Sequence, residues 1–241
     1  AYGEWDDITT PRHEHCTNGW VIDYTEFFSD MNGEYMKLQY DAIKALVRPE
    51  QWVVTNSTGV MNIGMDHRKY SRMLDAGAWD SYPKCAGVNL PDTYTALAHD
   101  MFRSATFTPF HVLETSTWHI RPAFLAEAFA RGAASTLFWH WRCIPYGVEN
   151  SADTLCHYDG SPKPGQLEAV CAFKEMLDAI PPQPTEMPRQ ETAFVYDQTN
   201  VRNTRRLTNW RESDYLTVQP KAYHYLWQHG IPVDVVTPDE S

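Results

Sequence analysis

The spacing of apolar residues predicts a long amphipathic helix over residues 24–47. Apolar side chains recur there mostly three or four positions apart, which places them on one face of a helix. That face consists of Phe28, Met31, Tyr35, Leu38, Ala42, Ile43 and Leu46. Asp23 and Glu26 fit a capping-box start, Pro49 follows the end, and Gly33 weakens the helix from within. We expect the apolar face to be buried as one stripe.

Strand-like and helix-like segments then alternate up to residue 180. Short apolar runs typical of buried strands occupy 51–56, 78–83, 110–116 and 134–142. Helical patterns occupy 66–76, 91–104, Pro122 to Gly132 and about 163–180. Strands that recur roughly every 30 residues with helices between them indicate βα units on a parallel sheet. A (β/α)8 barrel and an open doubly wound sheet both fit. The strands lack a following glycine-rich phosphate loop, which disfavours a nucleotide-binding sheet.

A proline-rich segment separates this region from a second one. Residues 181–190 contain four prolines and are the predicted linker. Beyond it, 191–197 and 233–236 read as strands and 222–230 as a helix. Two strands and one helix cannot close a core of their own. The segment 191–241 is therefore expected to be a truncated domain or to pack on its neighbour.

Charge and hydropathy exclude two classes of partner. The net charge is −11, and basic residues cluster no further than short runs such as Arg205-Arg206, so a nucleic-acid partner is not expected. Apolar runs are strand-sized and far shorter than the roughly 20 residues of a membrane span, so a membrane partner is not expected either.

Cysteine usage and aromatic content add little chemistry on their own. Five cysteines without CxxC spacing predict free thiols in a reducing, cytoplasmic compartment. His13, His15 and Cys16 lack a fourth ligand at a sensible spacing, so we expect neither a metal nor another cofactor. Aromatic residues make up 13% of the chain, which suits sugar binding or a large core, and composition alone favours the core.

Each predicted strand of the first region ends in polar or aromatic residues. These are Thr55-Asn56, Asp80 with Tyr82, Glu114, and Trp139 to Arg142. The carboxyl ends of parallel strands meet at one edge, where βα folds hold their active sites. Glu114 follows an apolar run directly, which makes it either a catalytic carboxylate or a strand-end partner of Arg142. Tyr82 and Trp118 lie near enough to bond it and stack on a sugar, or simply to cover the rim.

Several segments together are similar in order to glycoside hydrolase family 42. They are VTNSTG (54–59), DSYP (80–83), LET around Glu114, FWHWRCIPYGVE (138–149) and DG (159–160). AYG (1–3) and VIDYTEFFSD (21–30) resemble earlier segments of that family. AFVYD and VDVV resemble the start of its flavodoxin-like trimerisation domain.

The resemblance implies a fold and a set of site residues. Residues 1–180 would be strands five to eight of a (β/α)8 TIM barrel, and 191–241 a truncated flavodoxin-like α/β segment of a homotrimeric parent. Glu114 would be the nucleophile, with Tyr82 hydrogen-bonded to it. Glu149 would bind sugar hydroxyls, and Trp118 and Trp139 would shape the galactose pocket.

The implied reaction is retaining hydrolysis of a terminal β-D-galactoside by double displacement. It needs an acid/base carboxyl group about 5 Å from the nucleophile. In the family this group follows an asparagine on the fourth strand, and no Asn-Glu pair precedes Asp23. We therefore expect a fragment without its acid/base, although Glu149 or Asp80 are alternatives on residue type alone.

The substrate stays open at one position. Ala152 stands where the family usually has a histidine three residues after the sugar-binding glutamate. This change removes one expected hydroxyl contact. A related retaining glycosidase acting on another sugar, such as an α-L-arabinopyranoside, and a non-catalytic carbohydrate-binding or scaffold protein remain alternatives.

Overall fold

The computed structural model describes residues 3–11, 17–58, 64–82, 93–115, 122–148, 150, 154–207 and 214–240. The helices are α1 (Asn18–Lys44), α2 (His67–Ser71), α3 (Tyr94–Thr106), α4 (Pro122–Ala130), α5 (Gln166–Asp178), α6 (Gln198–Leu207) and α7 (Asp214–Gln228). The strands are β1 (Ala78–Ser81), β2 (Phe110–Thr115), β3 (Ala133–Thr136), β4 (Thr192–Val195) and β5 (Val233–Val236). The fold is therefore of the α/β class.

Strands β1, β2 and β3 form a parallel sheet in sequence order. Helices α3 and α4 connect them, which confirms the predicted βα arrangement for these strands. The register between β1 and β2 shifts after Trp79, so that Asp80 lies opposite Glu114. The sheet thus places two carboxylates side by side at its carboxyl edge.

The predicted strand at 51–56 is wrong, because this segment has no strand structure. The N–H of Val53 donates to the carboxylate of Asp75 at 2.7 Å instead of to a neighbouring strand. The carbonyl of Ser57 accepts from the N–H of Asp80 at 2.8 Å. Isolated hydrogen bonds of this kind hold the segment beside β1 and the residues that precede it, without the regular hydrogen-bond ladder of a strand.

The predicted strand at 134–142 is shorter than expected and ends at Thr136. The chain nevertheless continues beside β2. The N–H of Leu137 donates to the carbonyl of Val112 at 2.9 Å, and that of Trp139 to the carbonyl of Thr115 at 3.0 Å. Trp139 therefore stays next to the end of β2, and the peptide bond that follows it is cis.

Helix α1 begins earlier than the sequence predicts. Thr17, not Asp23, is its N-cap, and the Thr17 hydroxyl accepts from the N–H of Trp20. The apolar stripe that was expected to be buried is exposed: Tyr35 is 65% exposed, Leu38 66% and Leu46 89%.

The opposite side of α1 contacts the protein through small and polar groups. Gly33 lies so close to α2 that a Cβ atom there would stand 3.2 Å from a ring carbon of Tyr70. The Tyr70 hydroxyl donates to the carbonyl of Ser29 at 2.6 Å. The Tyr40 hydroxyl donates to Asp75 at 2.8 Å. Hydrogen bonds at close approach, rather than apolar packing, attach this helix.

Helix α3 forms the centre of the core and is buried on all sides. One face packs against sheet residues that include Trp79 and Phe110, and another lies against β5. Apolar residues of the second region, among them Val201, Tyr223 and Val235, belong to the same cluster. The segment after the linker therefore packs on its neighbour, as one of the two alternatives predicted.

Buried arginines of the first region bind the backbone of β5, which pairs in parallel with β4. Arg103 donates to the carboxylate of Asp234 at 2.8 Å and to the carbonyl of Val233 at 2.6 Å. Arg68 donates to the carbonyl of Val235, and Ser104 bonds both polar groups of that residue. Side chains of α2 and α3 thus form hydrogen bonds with the backbone groups of β5 on the edge that does not pair with β4.

The helix predicted at 222–230 is the end of the longer α7, and α6 was not predicted. Helix α6 is almost entirely polar, with Val201 as its fully buried contact, so it carries little apolar periodicity. None of the helices in the described ranges combines the length and apolarity needed to cross a membrane.

Candidate active site

The site is built around the carboxylate of Glu114 at the end of β2. The Tyr82 hydroxyl donates to its Oε2 at 2.8 Å, which confirms the hydrogen bond expected between these residues. Nδ2 of Asn56 donates to its Oε1 at 3.0 Å. Both oxygens are therefore held by neutral donors. This fixes the orientation of the carboxylate and leaves its charge without a cationic partner among the described residues.

Asp80 is the second acidic group of the site. Its Oδ1 accepts from the same Nδ2 of Asn56 at 2.9 Å. Burial and the neighbouring charge of Glu114 raise the pKa of Asp80 to about 6, and the donor on Asn56 opposes the rise. The edge of the sheet thus holds two carboxyl groups joined through one amide group.

Trp139 lies beside the end of β2 and presents an exposed aromatic surface. Its indole is 42% exposed and meets the ring of His140 edge-on, with centroids 4.2 Å apart. Its backbone N–H is bonded to Thr115, the residue after Glu114. An exposed indole at such a position suits stacking on the apolar face of a sugar ring.

Glu149, Trp118 and Ala152 lie outside the described residues, so their predicted positions stay predictions. The same is true of His13, His15, Cys16 and Cys85. Within the described ranges Cys143, Cys156 and Cys171 are free thiols.

The alternative in which Glu114 is a structural partner of Arg142 is not realised. Arg142 is exposed and forms a backbone bridge to Cys156. Between these two described residues, Glu114 and Arg142, there is no ion pair. Glu114 is therefore free of the strong stabilisation that a guanidinium would give a carboxylate.

Asn56 is the contact that sequence reasoning missed. It stood among the polar strand ends, but no role followed from its position, since the segment before it was taken for a strand. The one available signal was its place in the VTNSTG motif. Its contacts reach residues 24 and 58 positions away in the chain, which local patterns do not report.

A parallel βα repeat that holds an oriented carboxylate at its carboxyl edge beside an exposed indole is the arrangement of a β/α-fold glycosidase. The model of glycoside hydrolase family 42, described as β-galactosidase, matches residues 1–180. The chain belongs to this family.

Similar curated proteins are β-galactosidases of bacteria and archaea. BglY of Alicyclobacillus acidocaldarius is 25% identical over 100% of this chain and 38% of its own length. BgaH of Haloferax lucentense is 27% identical over 100% of this chain and 39% of its own length. The chain thus spans about two fifths of the length of these relatives.

Solved structures of similar proteins share the fold. The polyextremophilic β-galactosidase of Halorubrum lacusprofundi aligns with a TM-score of 0.83 and 27% identity, over 98% of this chain and 39% of that one. The β-galactosidase of Rahnella sp. R3 aligns with a TM-score of 0.85 over 99% of this chain and 38% of that one. At 22% identity the second likeness concerns the fold alone.

Proposed function

We propose that the protein containing this sequence is a retaining β-galactosidase in which Glu114 is the nucleophile. The observation that carries the proposal is the orientation of the Glu114 carboxylate by Tyr82 and Asn56 at the carboxyl end of β2. Trp139, Trp118 and Glu149 complete the sugar pocket in this proposal. A terminal β-D-galactoside is the substrate, and neither a metal nor another cofactor takes part.

The chemistry requires an anionic carboxylate that is oriented but not neutralised. Glu114 forms a bond from one oxygen to the anomeric carbon while the bond to the leaving oxygen breaks and that oxygen takes a proton. Water then gives a proton to the acid/base residue and attacks the same carbon, which releases the Glu114 carboxylate, so configuration is retained. Two neutral donors suit this role, because they hold the group in place without the deep stabilisation of an ion pair.

Asp80 is a poor candidate for the proton donor. In a retaining pair the sugar lies between the two carboxyl groups, about 5 Å apart. Here the amide of Asn56 occupies the space between Asp80 and Glu114, bonded to both. We infer that the acid/base comes from a preceding part of the protein, outside this sequence.

Two observations support the view that this sequence is part of a longer catalytic domain. The relatives are more than twice as long, and the chain aligns with about two fifths of each. The apolar face of α1 is exposed over its whole length, with Phe28, Met31, Tyr35 and Leu38 each at least 45% exposed. A patch of that kind is typical of a surface that another part of the protein covers. We propose that the covering part is the first half of a TIM barrel, of which this sequence would supply strands five to eight.

The region after the linker would be the start of a flavodoxin-like domain of a homotrimer. The parallel pair β4 and β5, with α6 and α7 between them, supports this assignment. In the same proposal the protein is cytoplasmic and acts on oligosaccharides or simple galactosides, without nucleic-acid or membrane partners.

Covalent trapping tests the proposal. Full-length protein treated with a 2-fluoro-galactosyl donor that has a good leaving group should become labelled on the peptide containing Glu114. Glu114→Gln should abolish the label. The control Glu127→Gln, at a half-buried glutamate of α4, should retain it. Label on another peptide would refute the nucleophile, and stronger labelling by the arabinopyranosyl analogue would favour the alternative substrate that Ala152 keeps open.

A further inference from the structure

We infer that Asp80 is a positioning residue for Glu114, acting through the side-chain amide of Asn56. The inference rests on the proposed function, since it concerns the orientation of the proposed nucleophile. It assigns roles to Asp80 and Asn56 that the sequence alone did not give them.

The amide of Asn56 has two hydrogens, and two carboxylates accept from it. Nδ2 lies 2.9 Å from Oδ1 of Asp80 and 3.0 Å from Oε1 of Glu114. Because both donors are used, rotation of the amide about its terminal torsion would break both bonds. If the bond to Asp80 is lost, nothing else among these contacts prevents the amide from turning its oxygen toward Glu114, where oxygen would repel the carboxylate.

Asp80 also holds the segment that carries Asn56. Its backbone N–H donates to the carbonyl of Ser57 at 2.8 Å, directly after Asn56. The shift in register after Trp79 brings Asp80 opposite Glu114, so that both anchors act at the level of the nucleophile. The backbone and the side chain of one residue therefore fix the position and the orientation of the amide.

The placement of Asp80 argues against a purely structural role. A second carboxylate beside Glu114 is unfavourable for the folded protein, as like charges repel in a half-buried site. Asp75 shows how a structural carboxylate of the same region is placed: it accepts from Val53, Tyr40 and Lys44 and so has a cationic partner. Asp80 has an amide shared with the nucleophile instead.

A double-mutant cycle in the full-length protein tests the inference kinetically. Asp80→Ala and Asn56→Ala should each lower kcat about 10- to 100-fold with KM changed less than about threefold, since misplacement of a reacting group affects the chemical step. The double variant should be no slower than Asn56→Ala by more than about twofold, because Asp80 acts through Asn56. The inference would be overturned if the kcat losses of the two single variants multiplied in the double variant. An unchanged kcat in Asp80→Ala would overturn it as well.

Two further variants separate orientation from general stability. Asp80→Asn keeps an acceptor oxygen for Asn56 and should recover most of the lost kcat. Asp75→Asn should lower the unfolding temperature but leave kcat within about twofold. The reason is that Asp75 binds the same segment at Val53 and does not bind Glu114. Equal losses of kcat in Asp75→Asn and Asp80→Ala would mean that both residues only order the segment that carries Asn56. That result would overturn the inference. Asp80→Ser, too short to reach the amide, replaces Asp80→Ala if the latter does not fold.

A measurement on the 241-residue chain is independent of activity. In a ¹⁵N-labelled sample, Asp80→Ala should shift one side-chain amide proton of Asn56 upfield and Glu114→Ala should shift the other. If both variants move the same proton, or neither moves one, the shared amide does not exist. Failure of the unmodified full-length protein to hydrolyse any β-galactoside would overturn the proposed function separately, and the amide protons would still decide the bridge.

Discussion

The hydroxyl of Tyr82, which follows β1 directly, donates at 2.8 Å to Oε2 of Glu114 on the adjacent strand β2. Hydrogen bonds to a charged group contribute about 1.5–3 kcal/mol. We expect Tyr82→Phe to lower kcat/KM of the full-length protein about 10- to 100-fold on an aryl β-galactoside.

A second tyrosine offers a matched control for this prediction. Tyr40 donates to Asp75 at the same distance of 2.8 Å, and Glu114 is not among the partners of that bond. Tyr40→Phe should leave kcat/KM within about twofold and affect only the unfolding temperature. Equal activity of Tyr82→Phe and the unmodified protein would show that the bond to Glu114 does not serve the reaction.

The 241-residue chain by itself should not turn over aryl β-galactosides. The reason is that the proposed acid/base lies outside this sequence, and double displacement needs both carboxyl groups. Release of the chromophore from a nitrophenyl β-galactoside by the purified chain is the measurement. Hydrolysis that disappears in Glu114→Gln would instead assign the acid to this chain, with Glu149 as the first candidate.

The carboxyl group of Asp80 should titrate near pH 6 in the folded chain. Burial is the largest cause of this raised pKa, and the charge of Glu114 is the second. In Glu114→Gln the second cause is gone, so the titration should move to lower pH. Carboxyl ¹³C chemical shifts recorded as a function of pH report both values. An unchanged midpoint in Glu114→Gln would mean that the two groups do not interact.

The same shift makes a prediction for stability. The pKa of Asp80 is raised from 3.8 to about 6 on folding, so the folded chain keeps a proton that the unfolded chain has already lost. The resulting contribution to stability is complete below the lower value and is lost as pH rises through the upper one. The free energy of unfolding of the unmodified chain should therefore fall relative to that of Asp80→Asn between about pH 4 and pH 6. Urea unfolding at several pH values measures the difference, and parallel curves would contradict it.

Arg103 should be critical for the attachment of the second region. Its bond to Asp234 is almost fully buried, with side chains 5% and 8% exposed. Removal of one partner leaves a buried charge, which costs about 3–5 kcal/mol. Arg103→Ala should lower the free energy of unfolding by about that amount in urea titrations. Lys174→Ala breaks an exposed pair with Asp178 and should cost less than about 0.5 kcal/mol. Similar losses in the two variants would contradict the prediction.

Much of the parallel sheet follows from local pattern. Strands β1 and β2 lie within the segments predicted, because apolar runs bounded by turns and helices were enough to locate them. The position of Glu114 at a strand end follows in the same way, and its bond to Tyr82 followed from the family resemblance.

The errors arise where tertiary contacts override local preference. Residues 51–56 have the β-branched composition of a strand, but the carboxylate of Asp75 takes the N–H of Val53. The periodicity of α1 reveals an apolar face and not the partner that covers it. Since the described part of the chain leaves this face exposed, the pattern alone could not give its burial. The link from Asn56 to both carboxylates joins distant positions and has no local signature.

Gly33 has a reach well beyond its own helix. A β-carbon at this position would stand 3.2 Å from a ring carbon of Tyr70 in α2, so a larger residue would require that side chain or the helix to shift by a few tenths of an ångström. Helix α2 also carries Arg68, whose guanidinium is bonded to Val235 in the second region. The helix that Gly33 approaches therefore also binds the second region. Gly33 lowers the stability of α1 locally, but it permits the close contact of α1 with α2. Helix α2 in turn binds the second region through Arg68.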